Sequence, residues 1–283
     1  MATIGTALAA AARALADAGV PEARREAQVL LGHALGAGRE VVIGHPERPI
    51  TVQQHDTLDA AVERRRAREP TAYIVGEREF WGLGLAVNGD TLIPRPDSEA
   101  VVEAALAAVA GRSVPLSVLD LGVGSGCLLL ALLSELPHAI GVGVDICAGA
   151  LAVARANASR HGLAGRARFV RADWGCALGG AWDLIVANPP YVDAAEFDTL
   201  APEIARFEPR RALVGGADPL ACYRALAPDL ARLLAPAGAA VLEVGAGQAP
   251  RVAAVMADYG LAERGRWRDL SGIERCVVVR HGE

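Results

Sequence analysis

The sequence predicts an α/β fold: a mostly parallel sheet covered by helices on both faces, preceded by a small all-helical region. Three observations predict it. Short apolar runs alternate with helix-like runs from residue 116 to the C-terminal end, the pattern of strands joined by crossover helices. A glycine-rich turn follows the first of these runs, and an acid closes the next. Residues 1 to 70 show helical spacing and no strand.

Each element follows in order. Leu8, Ala12, Leu15 and Val20 recur at helical spacing in the first helix. "PEARREAQVLLGHALG" opens with a proline suited to a first helical turn and closes on glycine. "TVQQHDTLDAAVERRRARE" is a third helix, capped by Thr51. Its arginines, Arg64 to Arg68, read as a solvated helix face or as a contact for a partner. From Pro70 the residues become β-branched and aromatic around glycines, which predicts a β-hairpin linker over 71–93. The remaining residues, 94–283, form the third region. It opens with a helix in "DSEAVVEAALAAVAG". Strands then fall in "LSVLDLG", "IGVGVDI", "ARFVRAD", "WDLIVAN" and "AAVLEVG". Helices fall in "SGCLLLALLSEL", "AGALAVARANASRHG", "PLACYRALAPDLARLLAP" and "QAPRVAAVMADYG". "RWRDLSGIERCVVVRHG" adds one or two strands.

Composition narrows the function. The chain has 283 residues, 52% hydrophobic and 22% charged, enough to bury a sizeable core. All 28 basic residues are arginine, so lysine chemistry is excluded: no phosphate-loop lysine and no Schiff base. A formal charge of −5 argues against a protein that grips phosphate backbones. The five cysteines are scattered, with no C-x-x-C pair and no zinc spacing, so reduced thiols in the cytoplasm and no metal are expected. Neither a signal peptide nor a membrane span is expected.

"VLDLGVGSGC" sets Gly122, Val123, Gly124, Ser125 and Gly126 between the first strand of the series and its helix. Glycines there let the chain turn sharply and let a ligand approach closely. Asp145 ends the next strand, where an acid can accept hydrogen bonds from ribose hydroxyls. Together these point to a nucleoside-containing cofactor. Trp174 follows the third strand and is placed either to stack on an adenine or to cap the sheet edge as a core side chain.

"WDLIVANPPYV" ends a buried strand on Asn188, Pro189, Pro190 and Tyr191. Two prolines have no N–H for the ladder, so the strand must stop. The residue before a proline is held extended. The Asn188 side-chain oxygen and the Pro189 carbonyl then form a rigid pair of acceptors, suited to a planar –NH2 group. Tyr191 would supply an aromatic wall.

N-P-P-Y after the fourth strand, with a G-x-G-x-G loop after the first, resembles the class I S-adenosylmethionine-dependent methyltransferases that act on amide or exocyclic amino nitrogens. "EPTAYIVGEREFWGL", "LIPRPDSE", "EPRRALVGGADPLACYR" and "DLSGIERCVVVRH" resemble the HemK family over nearly the whole chain. Departures are Val123 and Ser98, each where threonine is usual, and Ala172 where glycine is usual. The resemblance implies a Rossmann-like, mostly parallel seven-stranded sheet with a small helical N-terminal domain for substrate recognition. It implies methylation of the glutamine in the Gly-Gly-Gln motif of class 1 peptide chain release factors, by a monomer with no stable nucleic-acid or membrane partner. Residues Gly122 to Gly126 would line the methionine and ribose part of S-adenosylmethionine, Asp145 would bind the ribose, and Trp174 would contact the adenine. Asn188 would also contact the cofactor; Asn188, Pro189, Pro190 and Tyr191 would hold the glutamine, and Arg95 would close the site. Three alternatives stay open: a ribosomal-protein glutamine methyltransferase, a nucleic-acid amino-methyltransferase sharing the N-P-P-Y site, and a binding module that has lost the chemistry.

Overall fold

The computed structural model describes residues 2–282. The chain divides into two compact units, one formed by residues up to Glu77 with Ala201–Phe207, the other by Arg78–Leu200 with the residues from Glu208 onward.

The first unit is helical: α1 (Ile4–Asp17), α2 (Ala23–Leu35), α3 (Arg39–Gly44), α4 (Val52–Arg66) and α5 (Thr71–Val75). Thr51 begins α4 as expected, in a reciprocal capping box with Gln54. Pro21 stays outside α2, which begins after Glu22, a left-handed residue. The helix α5 occupies residues where a strand was expected; the hairpin starts only after Gly76, whose φ of +80° ends that helix. Ile4, Leu15, Leu30, Leu31 and Leu58 form the core.

The arginine run is not a uniformly solvated face. Arg65 is buried, its guanidinium donating to Glu26 at 3.0 Å and to Glu203 at 2.9 Å. Arg68 donates to Glu203 at 3.1 Å and to the Gly19 carbonyl at 2.8 Å. Only Arg64 and Arg66 keep to the surface, paired with Glu69 and Glu63.

The second unit begins with the hairpin β1 (Glu77–Phe80) and β2 (Leu83–Ala86), then α6 (Glu99–Ala108). β3 (Ser117–Leu121), α7 (Cys127–Glu135), β4 (Ile140–Asp145), α8 (Ala148–Arg160), β5 (Ala167–Arg171) and β6 (Trp182–Ala187) follow. After α9 (Pro202–Phe207), which carries Glu203 into the first unit, come α10 (Ala221–Leu233), β7 (Leu234–Glu243), α11 (Ala249–Ala257), β8 (Leu261–Arg268) and β9 (Glu274–His281). The seven-stranded sheet has the order β5-β4-β3-β6-β7-β9-β8. It is parallel from β5 to β7 and antiparallel at β9 and β8. Both possible C-terminal strands form, and β8 starts earlier than the sequence suggested.

Strand residues alternate between two cores. Val118, Leu184, Val186 and Val241 pack with α6 and α7 on one face. Leu119, Ile185, Ala187 and Leu242 pack with α10 and α11 on the other. A strand buried on both faces needs no polar alternation, which is why "LIVA" reads as a continuous apolar run. The chain leaves β3 toward β4 and β5, then returns to β6 on the opposite side. The carboxyl ends of β3 and β6 therefore flank the switch point where ligands bind in open α/β sheets.

Candidate functional site

A cavity opens at that switch point, and Gly124, Ser125, Asp145, Trp174, Asn188 and Arg95 are among the residues lining it. The loop after β3 starts where the Gly122 and Val123 N–H groups both donate to the Val144 carbonyl, at 2.9 and 2.8 Å. Gly122 has φ +83°, and a β-carbon there would stand 3.5 Å from Trp174 Cζ3. The indole thus lies in ordinary contact range of the bare glycine, and it is the dihedral that favours glycine there.

Asp145 braces the loop from the end of β4. Its Oδ2 accepts from the Gly124 N–H at 3.0 Å and its Oδ1 from the Cys147 N–H at 2.8 Å. Each oxygen keeps a further lone pair for a ligand hydroxyl. Asp120, at the end of β3, is buried and also lines the cavity. Its Oδ2 accepts from the Leu129 N–H at 3.2 Å in the first turn of α7, where a negative charge suits the helix dipole. Burial pushes its carboxyl up to about 7 against that bond.

Asn188 follows β6 directly and is half-buried on the cavity wall. Its Nδ2 donates to Ser98 Oγ at 3.4 Å. Pro190 also lines the cavity, whereas Pro189 is buried and, like Tyr191, does not line it. Tyr191 turns its hydroxyl onto Glu243 Oε1 at 3.3 Å, and the neighbouring Gln248 Nε2 donates to the Tyr191 carbonyl at 3.1 Å. Burial raises the Tyr191 phenol well above its ordinary range, so it stays neutral. Arg95 lies at the cavity, as expected, and pairs with buried Glu208, whose other oxygen accepts from the Ile93 N–H at 3.1 Å.

The chain resembles known proteins along most of its length. A family model described as the PrmC N-terminal domain matches residues 6–76, and one described as the methyltransferase small domain matches residues 104–213. The release factor glutamine methyltransferase of Rhodospirillum rubrum is 49% identical over 93% of this chain and 80% of its own. That of Caulobacter vibrioides is 42% identical over 98% of this chain and 96% of its own. The chain belongs to the release factor glutamine methyltransferase family. A solved methyltransferase from Pyrococcus furiosus shares the fold at 14% identity and a TM-score of 0.53, over 80% of this chain and 98% of that one. The hMettl16 catalytic domain shares it at 12% identity and a TM-score of 0.57, over 79% of this chain and 82% of that one.

In this member of the family, Gly122 to Ser125, Asp145, Trp174, Asn188 and Pro190 meet at one cavity, although they are scattered through the sequence, while Gly126 caps the start of α7 and does not line it. The motif reading passed over Asp120, Ser98, Asn157 and Glu243. Asp120 and Glu243 had a signal: each is a lone acid at the carboxyl end of an apolar strand, in "VLDLG" and "VLEVG". Ser98 had a weaker one, its place in the motif "LIPRPDSE", where it reads only as a departure from threonine, and Asn157, an ordinary polar residue on α8, had none.

Proposed function

We propose that this enzyme transfers a methyl group from S-adenosylmethionine to the side-chain amide nitrogen of the glutamine in the Gly-Gly-Gln motif of class 1 peptide chain release factors. The observation that carries this reading is Asn188 on the cavity wall, its amide nitrogen turned toward Ser98, in a chain that belongs to the glutamine methyltransferase family.

The cavity fits the cofactor. Asp120 Oδ1 is a buried polar atom with no hydrogen-bond partner among the described residues. Nothing stands within 4 Å of a β-carbon built on Gly124, so the loop leaves room for a ligand. Gly122 to Gly126 would hold the methionine and ribose part, Asp145 the ribose hydroxyls and Trp174 the adenine. S-adenosylmethionine, when bound, supplies an electrophilic methyl group on a sulfonium.

An amide nitrogen is a weak nucleophile because its lone pair is delocalised. Asn188 Oδ1 and the Pro189 carbonyl would accept its two N–H bonds and hold it still. That pairing favours a more pyramidal nitrogen with its lone pair free. Positioning of this kind supplies roughly 7–11 kcal/mol in favourable cases. Tyr191 packs beside the clamp as a neutral phenol. The helical unit, with its separate core, would give the large factor a second contact.

Incubation with labelled S-adenosylmethionine and an intact release factor, followed by mapping of the modified residue, tests the reading. Label confined to the Gly-Gly-Gln glutamine supports it. Label in nucleic acid or a ribosomal protein, with none in the factor, overturns it.

A further inference from the structure

Glu243 is 2% exposed, and no step described so far uses it. It ends β7, which runs parallel to β6 with Ala187 opposite Leu242, so the next residues on the two strands, Asn188 and Glu243, are neighbours. Its backbone is pinned by the Tyr223 hydroxyl, which donates to the Glu243 carbonyl at 2.8 Å from a fully buried ring. Its Oε1 takes the Tyr191 hydroxyl at 3.3 Å. Its Oε2 is enclosed without a well-aligned partner, while the Ser98 and Asn188 side chains stand close enough to favour the charged carboxylate.

A carboxylate can only accept hydrogen bonds. The side chains gathered around this one are a phenol, a serine hydroxyl and a carboxamide, each able to donate. The carboxamide is the one whose facing matters, because its two ends are an acceptor and a donor of nearly equal size. Turned with nitrogen inward, Asn188 offers its oxygen to a substrate N–H. Turned the other way, it would meet that N–H with a donor and repel it.

We propose that Glu243 is a positioning residue: with Ser98 it holds the Asn188 carboxamide nitrogen inward, so that the oxygen faces the glutamine amide. The role rests on the reading of Asn188 as the amide clamp. Burial pushes Glu243 up to about 7, although nearby Ser98, the Tyr191 hydroxyl, the Arg275 charge and nearby Asn188 each favour the carboxylate. Once protonated, the group donates as well as accepts and no longer distinguishes the two ends of the carboxamide. Asp120, which lines the same cavity, is also raised by burial to about 7, and the other groups around Glu243 keep their charge near neutral pH. The Tyr191 and Tyr223 phenols are raised by burial, and the Cys127 and Cys276 thiols are pushed up to about 12. Arg275 is fixed by Asp97 and Asp269 at 2.7 Å each. Turnover should therefore rise with pH through about 7. Asp120→Asn, which removes the other carboxyl raised to that range, should keep the limb. Loss of the limb in that variant would assign it to Asp120 and overturn the role of Glu243.

The test is single-turnover methyl transfer by the full chain to an intact release factor, at saturating cofactor, from pH 5.5 to 9. Glu243→Gln should bind the cofactor like the parent and keep the KM for the factor. Its rate should fall about tenfold or more, the worth of a hydrogen bond to a charged group, and the pH limb should vanish. Ser98→Ala should move the limb to higher pH, because a bond favouring the carboxylate is lost. That variant decides the matter if Glu243→Gln does not fold. A parental rate and limb in Glu243→Gln, or an unmoved limb in Ser98→Ala, overturns the role. A parent that transfers no methyl to the factor overturns the substrate reading and this role with it, and so is told apart from failure of the positioning alone.

Discussion

Asn157 and Ser125 are joined by a hydrogen bond of 2.9 Å from the Asn157 carboxamide to the Ser125 carbonyl, with both side chains buried. The same carboxamide accepts from the Ala86 N–H at 2.8 Å and donates to the Ala86 carbonyl at 3.0 Å. One side chain on α8 therefore fastens the glycine loop to the second strand of the hairpin.

Asn157→Leu should strand three backbone groups at once. Each unsatisfied buried group costs about 1–3 kcal/mol, so a loss of about 3 kcal/mol or more is expected in urea unfolding of the catalytic unit. Cofactor affinity should fall as well, because the loop loses its anchor. An unchanged unfolding midpoint would show that the loop is held by other means.

Asp145→Ala should weaken cofactor binding roughly 10- to 150-fold, since hydrogen bonds to a charged group are worth about 1.5–3 kcal/mol. Asp145→Asn keeps one acceptor but places an amide N–H against Gly124 or Cys147, whose N–H groups the carboxylate now takes. It should bind poorly too. Calorimetry showing parental affinity for both variants would place Asp145 outside the cofactor site.

Asn188→Ala should leave cofactor affinity within a few-fold of the parent and slow methyl transfer by roughly 100- to 1,000-fold, the loss typical of one preorganised polar contact in a closed site. Asn188→Asp should also be slow, because a carboxylate beside a sulfonium favours the ground state. Transfer at the parental rate by Asn188→Ala would reduce the two prolines to a strand terminator.

The Asp120 carboxyl is pushed up from 3.8 to about 7 by burial. Between those values the folded chain keeps a proton that the unfolded chain releases, so rising pH favours unfolding. Stability of the cofactor-free protein should fall from about pH 4 to pH 7, and less so in Asp120→Asn. Glu243, raised to about 7 by burial, adds a slope of the same sign. Urea midpoints at pH 5 and pH 8 check this; an equal drop in both proteins would assign the slope elsewhere.

Arg65→Met should destabilise the helical unit by about 2–4 kcal/mol, because it leaves Glu26 without its arginine and Glu203 with Arg68 alone in a partly buried site. Thermal unfolding of the full chain would show it. An unshifted first transition would mean that water takes over both carboxylates.

Much of this was legible in the sequence because the signals were local. The continuous apolar run in "WDLIVA" announced a strand covered on both faces, and positive-φ glycines marked the turn after β3. Thr51 announced a helix start, and the structure adds Gln54 as the other half of its capping box. What could not be read depends on partners far along the chain. Arg65 meets Glu203, 138 positions away, and nothing beside either residue marks the pairing. Asn157 reaches Ala86 across 71 positions, from a helix face that looks like any other. Tyr191 was read as a wall, but its hydroxyl answers to Glu243, which the chain supplies 52 positions later.

The segment Ala201–Phe207 belongs to the helical unit, although it is encoded between Tyr191 and α10. The chain therefore crosses between the units three times, after Glu77, Leu200 and Phe207. A protein with two domains in tandem can be cut or recombined at one seam. Here the inheritable module is discontinuous. A chimera that swaps the N-terminal helices alone would set foreign residues against Glu203, and a working graft must carry both pieces.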